Sequence, residues 1–185
     1  MFSGAKILIF LAVTIGFLLI SGKSLKSYRY HGFYRFFTWE SVLILILLNT
    51  EFWFDDPFSI SQIFSWAFFL ISMTYVSSAA VTLFRHGKQD SSRTDSQLIG
   101  IEKTTVLVHS GIYKYIRHPM YGSFIFAALG VLLKNVSLFS LILTLTTIIL
   151  AVITSLIEEK ENIRYFGNQY IEYKKISWKF IPYII

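Results

Sequence analysis

Cysteine is absent from this chain of 185 residues, and charged residues are scarce. Without cysteine the chain has no disulfide, no thiolate metal ligand and no cysteine nucleophile. Charged residues make up only 15% of the sequence, while 54% is hydrophobic and 18% is aromatic. A water-soluble domain of this size has no interior large enough for so many apolar side chains. The composition therefore favours an integral membrane protein.

Long apolar segments run through the whole sequence. We predict that five of them are transmembrane helices, because backbone groups in lipid must find hydrogen-bond partners within their own segment. The first is interpreted as a retained helix, since no signal-peptide cleavage site follows it clearly. The fourth is short, so we expect it to be tilted, partial or covered by protein. The segments comprise residues 5–21, 38–54, 60–84, 120–133 and 136–157.

The last two apolar segments are separated only by a polar turn at Lys134 and Asn135. They therefore form a helical hairpin. The tail beyond them also has helical character, with Gly167 indicating a break. We expect an all-α fold with three N-terminal transmembrane helices (residues 1–84). A core follows them (residues 85–185), made of a cytoplasmic loop, the helical hairpin and a cytoplasmic C-terminal helix.

Basic residues are distributed unevenly between the loops. Loop 22–37 carries four basic residues, Arg35 among them, and no acid, whereas loop 51–59 carries three acids and no base. The third loop, residues 85–119, and the tail are also basic. Cytoplasmic loops carry the excess of lysine and arginine, so we place the N-terminus outside and the C-terminus in the cytoplasm. The net charge of +6 then indicates contact with membrane lipids, and we expect no nucleic-acid partner.

Cationic and aromatic residues crowd together before the fourth segment, in the stretch YKYIRHPMYG, residues 113–122. The hairpin brings this stretch to the same membrane face as Glu158 and Glu159. Pro119 suits the first turn of a helix, and the free N–H groups there attract a carboxylate. A ligand with a carboxylate, a cationic centre and an aromatic ring would fit the gap. S-adenosylmethionine has all three, and the tyrosines of the stretch can stack on its base or face its cation.

The motifs of the C-terminal part resemble a known family. The pattern L-V-x-x-G-I-Y-x-x-x-R-H-P-M-Y (residues 107–121) is followed by a hairpin, then E-E, then F-G-x-x-Y-x-x-Y (residues 166–173). It is similar to isoprenylcysteine carboxyl methyltransferases and, more broadly, to membrane methyltransferases that include phospholipid N-methyltransferases. The resemblance covers residues 105–182. It implies S-adenosylmethionine bound at the cytoplasmic side and a lipophilic, isoprenoid- or phospholipid-like acceptor from the bilayer. The cofactor-binding residues it implies are Thr105, Val106, Leu107, Val108, Tyr113, His118, Pro119, Met120, Tyr121 and Glu158.

One position departs from the pattern of this family. The isoprenylcysteine enzymes carry an arginine four residues before the first glutamate, where it handles the substrate carboxylate, and this chain has Thr154 there. A neutral hydroxyl does not neutralise a carboxylate, so the acceptor atom stays open between carboxylate, nitrogen and sulfur. We assign no general base. In the third loop we interpret Arg85 and Arg93 as cytoplasmic anchors and Glu102 as a structural residue, with substitution for the missing arginine as the alternative role of each. The substrate contacts under consideration are Arg117, Thr154 and Glu159.

Each of these features also has a simpler interpretation. Arg117 and His118 alone are typical of anchoring at the membrane surface. The two glutamates alone are typical of a solvated helix end, and Glu159 faces either solvent or substrate. The histidines are too scattered for a metal site, so we expect no metal. The alternative to an enzyme is a non-catalytic membrane scaffold or a small transporter subunit, but the spacing of the motifs across the hairpin favours the methyltransferase.

Overall fold

The computed structural model describes residues 3–88 and 104–184, which fold almost entirely into helices. The described residues form no strand, and an isolated parallel bridge joins Ile116 and Trp178. The predicted all-α fold is therefore confirmed. Six α-helices follow one another: α1 (Gly4–Ser21), α2 (His31–Asn49), α3 (Ile60–His86), α4 (Pro119–Leu132), α5 (Leu138–Phe166) and α6 (Asn168–Lys175).

The predicted apolar segments lie on α1 to α5, with the largest difference at α2. This helix begins at His31 rather than at residue 38, and it ends at Asn49 rather than at residue 54. The placement of Arg35 in a loop is therefore wrong. The first turns of α2 are aromatic and polar and lack a long apolar run. Glu161 of α5 stabilises their start by accepting a hydrogen bond from the His31 backbone N–H at 3.0 Å. A carboxylate in this position satisfies a free N–H group at the helix start.

Among the described residues, three helices, α1, α3 and α5, are long and apolar enough to cross a membrane. Helix α2 carries Arg35 and Glu40 in its first half, and α4 has only 14 residues. Five membrane spans and the cytoplasmic side of the C-terminal helix stay predictions. The turn at residues 134–135 and the break at Gly167, where φ is +61°, are both present.

The helices pack in pairs, α2 against α5 and α3 against α4, and α4 also contacts α5. Hydroxyl groups connect these helices. The Ser65 hydroxyl donates to the Gly130 carbonyl at 2.7 Å, and the Ser72 hydroxyl donates to the Ser123 carbonyl at 2.8 Å. Small residues that let helices approach closely, together with hydroxyl hydrogen bonds, are typical of helix packing in membranes.

The bundle has two ends of different chemistry. The turn end is defined by Lys6, Glu51, Gln62 and Lys134. There the start of α1 contacts the residues between α2 and α3, and the α4–α5 turn contacts the start of α3. At the cavity end (His31, His118, Glu158 and Glu161), the start of α2 meets the last turns of α5. The start of α4 also lies at the cavity end. The candidate functional site is there.

Candidate functional site

The residues just before α4 are held by backbone hydrogen bonds to the C-terminal segment. The Arg117 N–H donates to the Trp178 carbonyl at 2.8 Å, and the His118 N–H donates to the Lys179 carbonyl at 3.0 Å. The Arg117 guanidinium also donates to the carbonyl of Ser177. The segment that follows α6 therefore fixes the entry into α4, which positions both cationic side chains of the R-H-P element.

A 3₁₀ turn, Gly111–Lys114, places Tyr113 against α3. Gly111 has φ +55°, and a Cβ atom there would lie 2.5 Å from Thr82 Oγ1. Any other residue would therefore be strained and would clash with α3. The Tyr113 carbonyl accepts a hydrogen bond of 2.6 Å from the Tyr173 hydroxyl. This contact ties the turn to α6.

A buried carboxylate, Glu159, joins three parts of the chain. It is 4% exposed, and its Oε1 accepts from Arg117 Nε at 3.1 Å. Its Oε2 accepts from Lys174 Nζ at 2.6 Å, and His118 Nε2 and Lys179 Nζ lie 3.3 and 3.5 Å from Oε1. These cations offset the cost of burying the charge. The solvent-facing alternative for Glu159 is therefore wrong.

His118 lies between the two carboxylates of the E-E pair. It is 3% exposed, with Nδ1 3.3 Å from Glu158 Oε2 and Nε2 3.3 Å from Glu159 Oε1. Burial lowers the pKa of His118, but hydrogen bonds to Glu158 and Glu159 and their charges outweigh burial and raise it. A neutral imidazole has a single N–H donor, so the protonated ring is the form that donates to both carboxylates.

An open cavity lies beside this cluster, between the start of α4 and the end of α5. Its lining combines cations, carboxylates, aromatic rings and aliphatic side chains. The structure brings most of the predicted site residues together here: Leu107, Val108, Tyr113, Arg117, His118, Pro119, Met120, Tyr121 and Glu158.

Four predicted site residues lie outside the cavity lining. Thr105 donates from its hydroxyl to the Lys88 carbonyl at 2.8 Å, and Val106 is exposed. Thr154 is 0% exposed and donates to the Leu150 carbonyl at 2.6 Å, within its own helix. The fourth is the buried Glu159. The roles predicted for these residues stay predictions, and each side chain has a structural partner or a solvent-facing position instead.

Residues that the sequence analysis missed complete the cavity. Glu161 and Asn162 lie three and four positions after Glu158 on α5. That spacing places them on the same helix face as Glu158, so it could have predicted that they line the same site. Arg35 and Trp39 line the cavity from one face of α2. The predicted segment began at residue 38, so Arg35 was placed outside the helix and this shared face was not recognised. The other missed lining residues are Leu83, Thr104, Phe124, Phe166, Tyr170 and Tyr173.

Tyr170 and Tyr173 are buried on α6 beside the carboxylates. Burial raises the pKa of Tyr170, and the charge of Glu158 raises it further. Burial also raises the pKa of Tyr173, against the opposing charge of Arg117. Both phenols are therefore neutral hydrogen-bond donors at physiological pH.

Of the three loop residues named as substitutes for the missing arginine, Arg85 is described by the structure and does not line the cavity. Arg85 is exposed on the last turn of α3. Arg93 and Glu102 lie outside the described residues. In the part of the chain that the structure describes, no group of three or more histidine, aspartate or glutamate side chains has the arrangement of a metal site.

A comparison with protein families gives a match that contains most of this site. The model of the family described as phospholipid methyltransferase matches residues 60–169, more than half of the chain. The chain belongs to the phospholipid methyltransferase family. Comparisons with curated proteins and with solved structures gave no significant match.

Membership of the phospholipid methyltransferase family confirms the predicted resemblance to membrane methyltransferases. The family implies methyl transfer to a lipid-like acceptor, which favours an enzyme over a scaffold or transporter subunit. Its match begins at the start of α3 and includes the hairpin, both glutamates and the beginning of α6. Arg35 and Trp39 precede the match, so the phospholipid methyltransferase family pattern alone does not account for the α2 side of the cavity.

Proposed function

We propose that the protein transfers a methyl group from S-adenosylmethionine to a lipophilic, isoprenoid- or phospholipid-like acceptor at the cytoplasmic face of the membrane. The observation that carries this proposal is the cavity, because its wall is built by the R-H-P-M-Y element at the start of α4 and by Glu158 near the end of α5. Both lie inside the region matched by the family.

The donor set of the cavity fits the chemistry of S-adenosylmethionine. The carboxylates of Glu158 and Glu161 match its ammonium and sulfonium groups. The rings of Tyr121, Phe166 and Tyr170 suit a flat base or a cation. Arg117 and the free N–H groups at the start of α4 suit its carboxylate. The arrangement thus offers a partner of the right charge or shape for each part of the cofactor.

When bound, the cofactor supplies the reactive methyl group and leaves as S-adenosylhomocysteine. In this scheme Glu158 contacts the cofactor, and the protonated His118 holds the Glu158 carboxylate in place. Tyr113, Met120 and Tyr121 shape the pocket around it. Displacement at a sulfonium depends mainly on alignment of the two reacting atoms, so residues that bind and orient account for much of the catalysis. Glu159 is a positioning residue, because it holds Arg117 and the C-terminal segment in place.

Methyl transfer itself tests the proposal. The purified full chain is incubated with methyl-tritiated S-adenosylmethionine and a total lipid extract, and label is counted in the organic phase. We expect label with the wild type and with Glu172→Gln, a control at an exposed glutamate of α6, and its loss with Glu158→Gln. A folded wild type that labels no lipid contradicts the proposal. Mild base then releases methanol only from a methyl ester, which distinguishes a carboxyl acceptor from an amine.

The cytoplasmic location has its own test. Because the chain has no cysteine, single cysteines can be introduced without removing any native thiol. Cysteines placed at Asp55 and at Ser91, which lies outside the described residues, should react with impermeant reagents from opposite sides of the membrane. Labelling of both from one side would contradict the predicted topology.

A further inference from the structure

A buried arginine of α2 forms part of the cavity wall. Arg35 is only 2% exposed, and it lines the cavity together with Trp39, which follows one helical turn later. Arginine is almost never so fully buried without an anionic or aromatic environment. Its position makes this part of the wall cationic, in a cavity that also contains the carboxylates of Glu158 and Glu161.

The Arg35 guanidinium lies beside the ring of Trp39 and near Gly32. Its Cζ lies 5.0 Å from the centre of the Trp39 ring. A Cβ atom on Gly32 would lie 3.3 Å from Arg35 Nη2 and 2.6 Å from Ser24 Oγ, so the missing side chain at Gly32 leaves the room that the guanidinium occupies. A planar guanidinium held in one orientation is well suited to paired hydrogen bonds with a carboxylate or phosphate.

Arg35 lies on a different wall from the segment implied to bind the cofactor. Val108 and Tyr113 of that segment pack against α3, in a cluster with Ala79. Arg35 and Trp39 belong to α2, which packs against α5. The α2 wall is thus formed by residues that the family resemblance does not assign to the cofactor.

We propose that Arg35 binds the anionic group, a phosphate or carboxylate, of the methyl acceptor. This inference rests on the proposed function. The position where isoprenylcysteine enzymes carry an arginine is Thr154 here, which bonds to its own helix and does not line the cavity. Arg35 supplies a cation to the cavity from another helix. The several N–H donors of a guanidinium let it hold a protein oxygen and a ligand oxyanion at the same time.

The test compares two short-chain lipids that differ only in a phosphate. Dioctanoyl phosphatidate and dioctanoylglycerol are titrated into the full chain in neutral detergent, with tryptophan fluorescence as the signal. A second pair of probes, decanoate and decanol, tests a carboxylate in the same way. We expect at least one anionic probe to bind about tenfold more tightly than its neutral partner, as a charge-assisted hydrogen-bond pair would give.

Variants at Arg35 then test whether this residue causes the preference for the anionic probe. Arg35→Gln should reduce it to within about twofold, and Arg35→Lys should keep an intermediate preference, because an ammonium lacks the planar fork. Arg29→Gln makes the same change of charge at an exposed position and should keep the wild-type preference. The affinity of Arg35→Gln for S-adenosylhomocysteine, measured by calorimetry, should stay within about threefold.

Several results would overturn this assignment. An unchanged anion preference in Arg35→Gln would do so, and if that variant does not fold, an unchanged preference in Arg35→Lys would. A loss of S-adenosylhomocysteine affinity of about tenfold without a change in lipid preference would assign Arg35 to the cofactor carboxylate instead. A wild type that binds S-adenosylhomocysteine without an anion preference contradicts the role of Arg35 alone. A wild type that binds no S-adenosylhomocysteine contradicts the proposed function.

Discussion

Buried cations lie at both ends of the helical bundle, but their surroundings differ. At the turn end, Lys134 is 5% exposed, donates to Gln62 Oε1 at 2.7 Å and lies 3.6 Å from the centre of the Trp66 ring. At the cavity end, His118 faces the carboxylates of Glu158 and Glu159 beside an open cavity. Burial lowers the pKa of Lys134, whereas the carboxylates raise that of His118 against the effect of burial.

The comparison separates a structural cation from a candidate functional one. The neutral amide and aromatic ring around Lys134 close the contact between the α4–α5 turn and α3. Around His118, opposite charges are collected at the edge of a space that a ligand can enter. Burial of a cation is therefore a weak sign of function, and the combination of cation, carboxylate and cavity is a stronger one.

The largest effect should come from removing the carboxylate at the centre of the charge cluster. Glu159→Ala leaves Arg117, His118 and Lys179 without their shared anion, and loss of one partner of a buried ion pair costs about 3–5 kcal/mol. We expect a large fall in melting temperature, measured by size-exclusion chromatography after heating. Glu172→Ala, at an exposed pair with Lys175, is the control. A fall no larger than that of the control would show that the cluster does not hold the cavity end together.

At the turn end, Lys134→Met should lower stability without affecting the site. The variant keeps an apolar stem but leaves Gln62 Oε1 without its donor, which costs about 1–3 kcal/mol. Affinity for S-adenosylhomocysteine, measured by calorimetry, should change by no more than about twofold. A large loss of affinity with little loss of stability would break the contrast between the two ends.

The raised pKa of His118 predicts a pH-dependent contribution to stability. That contribution is fully present below the unfolded pKa of about 6.5, and it is lost as the pH rises through the raised folded pKa. Its size is about 1.4 kcal/mol for each unit of pKa shift. The difference in melting temperature between the wild type and His118→Asn should therefore be larger at about pH 6 than at about pH 9. These two pH values are chosen below and above the titration of His118. A difference that does not vary with pH would contradict a protonated His118.

The smallest effect should come from Thr154→Val. The Thr154 hydroxyl donates to a carbonyl of its own helix and lies outside the cavity lining, so its loss should change the free energy of unfolding by less than about 1 kcal/mol. Methyl transfer to lipid should keep a KM within about twofold of the wild type. A large rise in KM for the acceptor would instead make Thr154 a substrate contact.

Much of the cavity end could be predicted from local sequence signals. The polar turn at residues 134–135 and two apolar segments were enough to bring Arg117 and His118 close to Glu158. The break at Gly167 was also visible, because glycine accepts the positive φ found there. These features depend on neighbours along the chain.

The rest of the site depends on contacts that have no local signal. Nothing near Arg35 in the sequence indicates that α2 packs against α5, or that Glu161 accepts a hydrogen bond from the start of α2. The family resemblance assigned Glu158 to the cofactor, but the sequence left Glu159 open between a solvent-facing position and a substrate contact. Neighbouring residues on a helix point about 100° apart, and only the packed structure shows that one lines the cavity while the other is buried among cations.

Calorimetry with S-adenosylhomocysteine is the most direct test of the central claim, that the cavity between the start of α4 and the end of α5 holds the cofactor. The account predicts binding at about micromolar Kd to the detergent-purified wild type, and about tenfold or greater weakening in Glu158→Gln and in His118→Ala. Glu172→Gln should bind like the wild type. Absence of binding to a folded, monodisperse wild type, or equal binding by all the variants, would contradict the account.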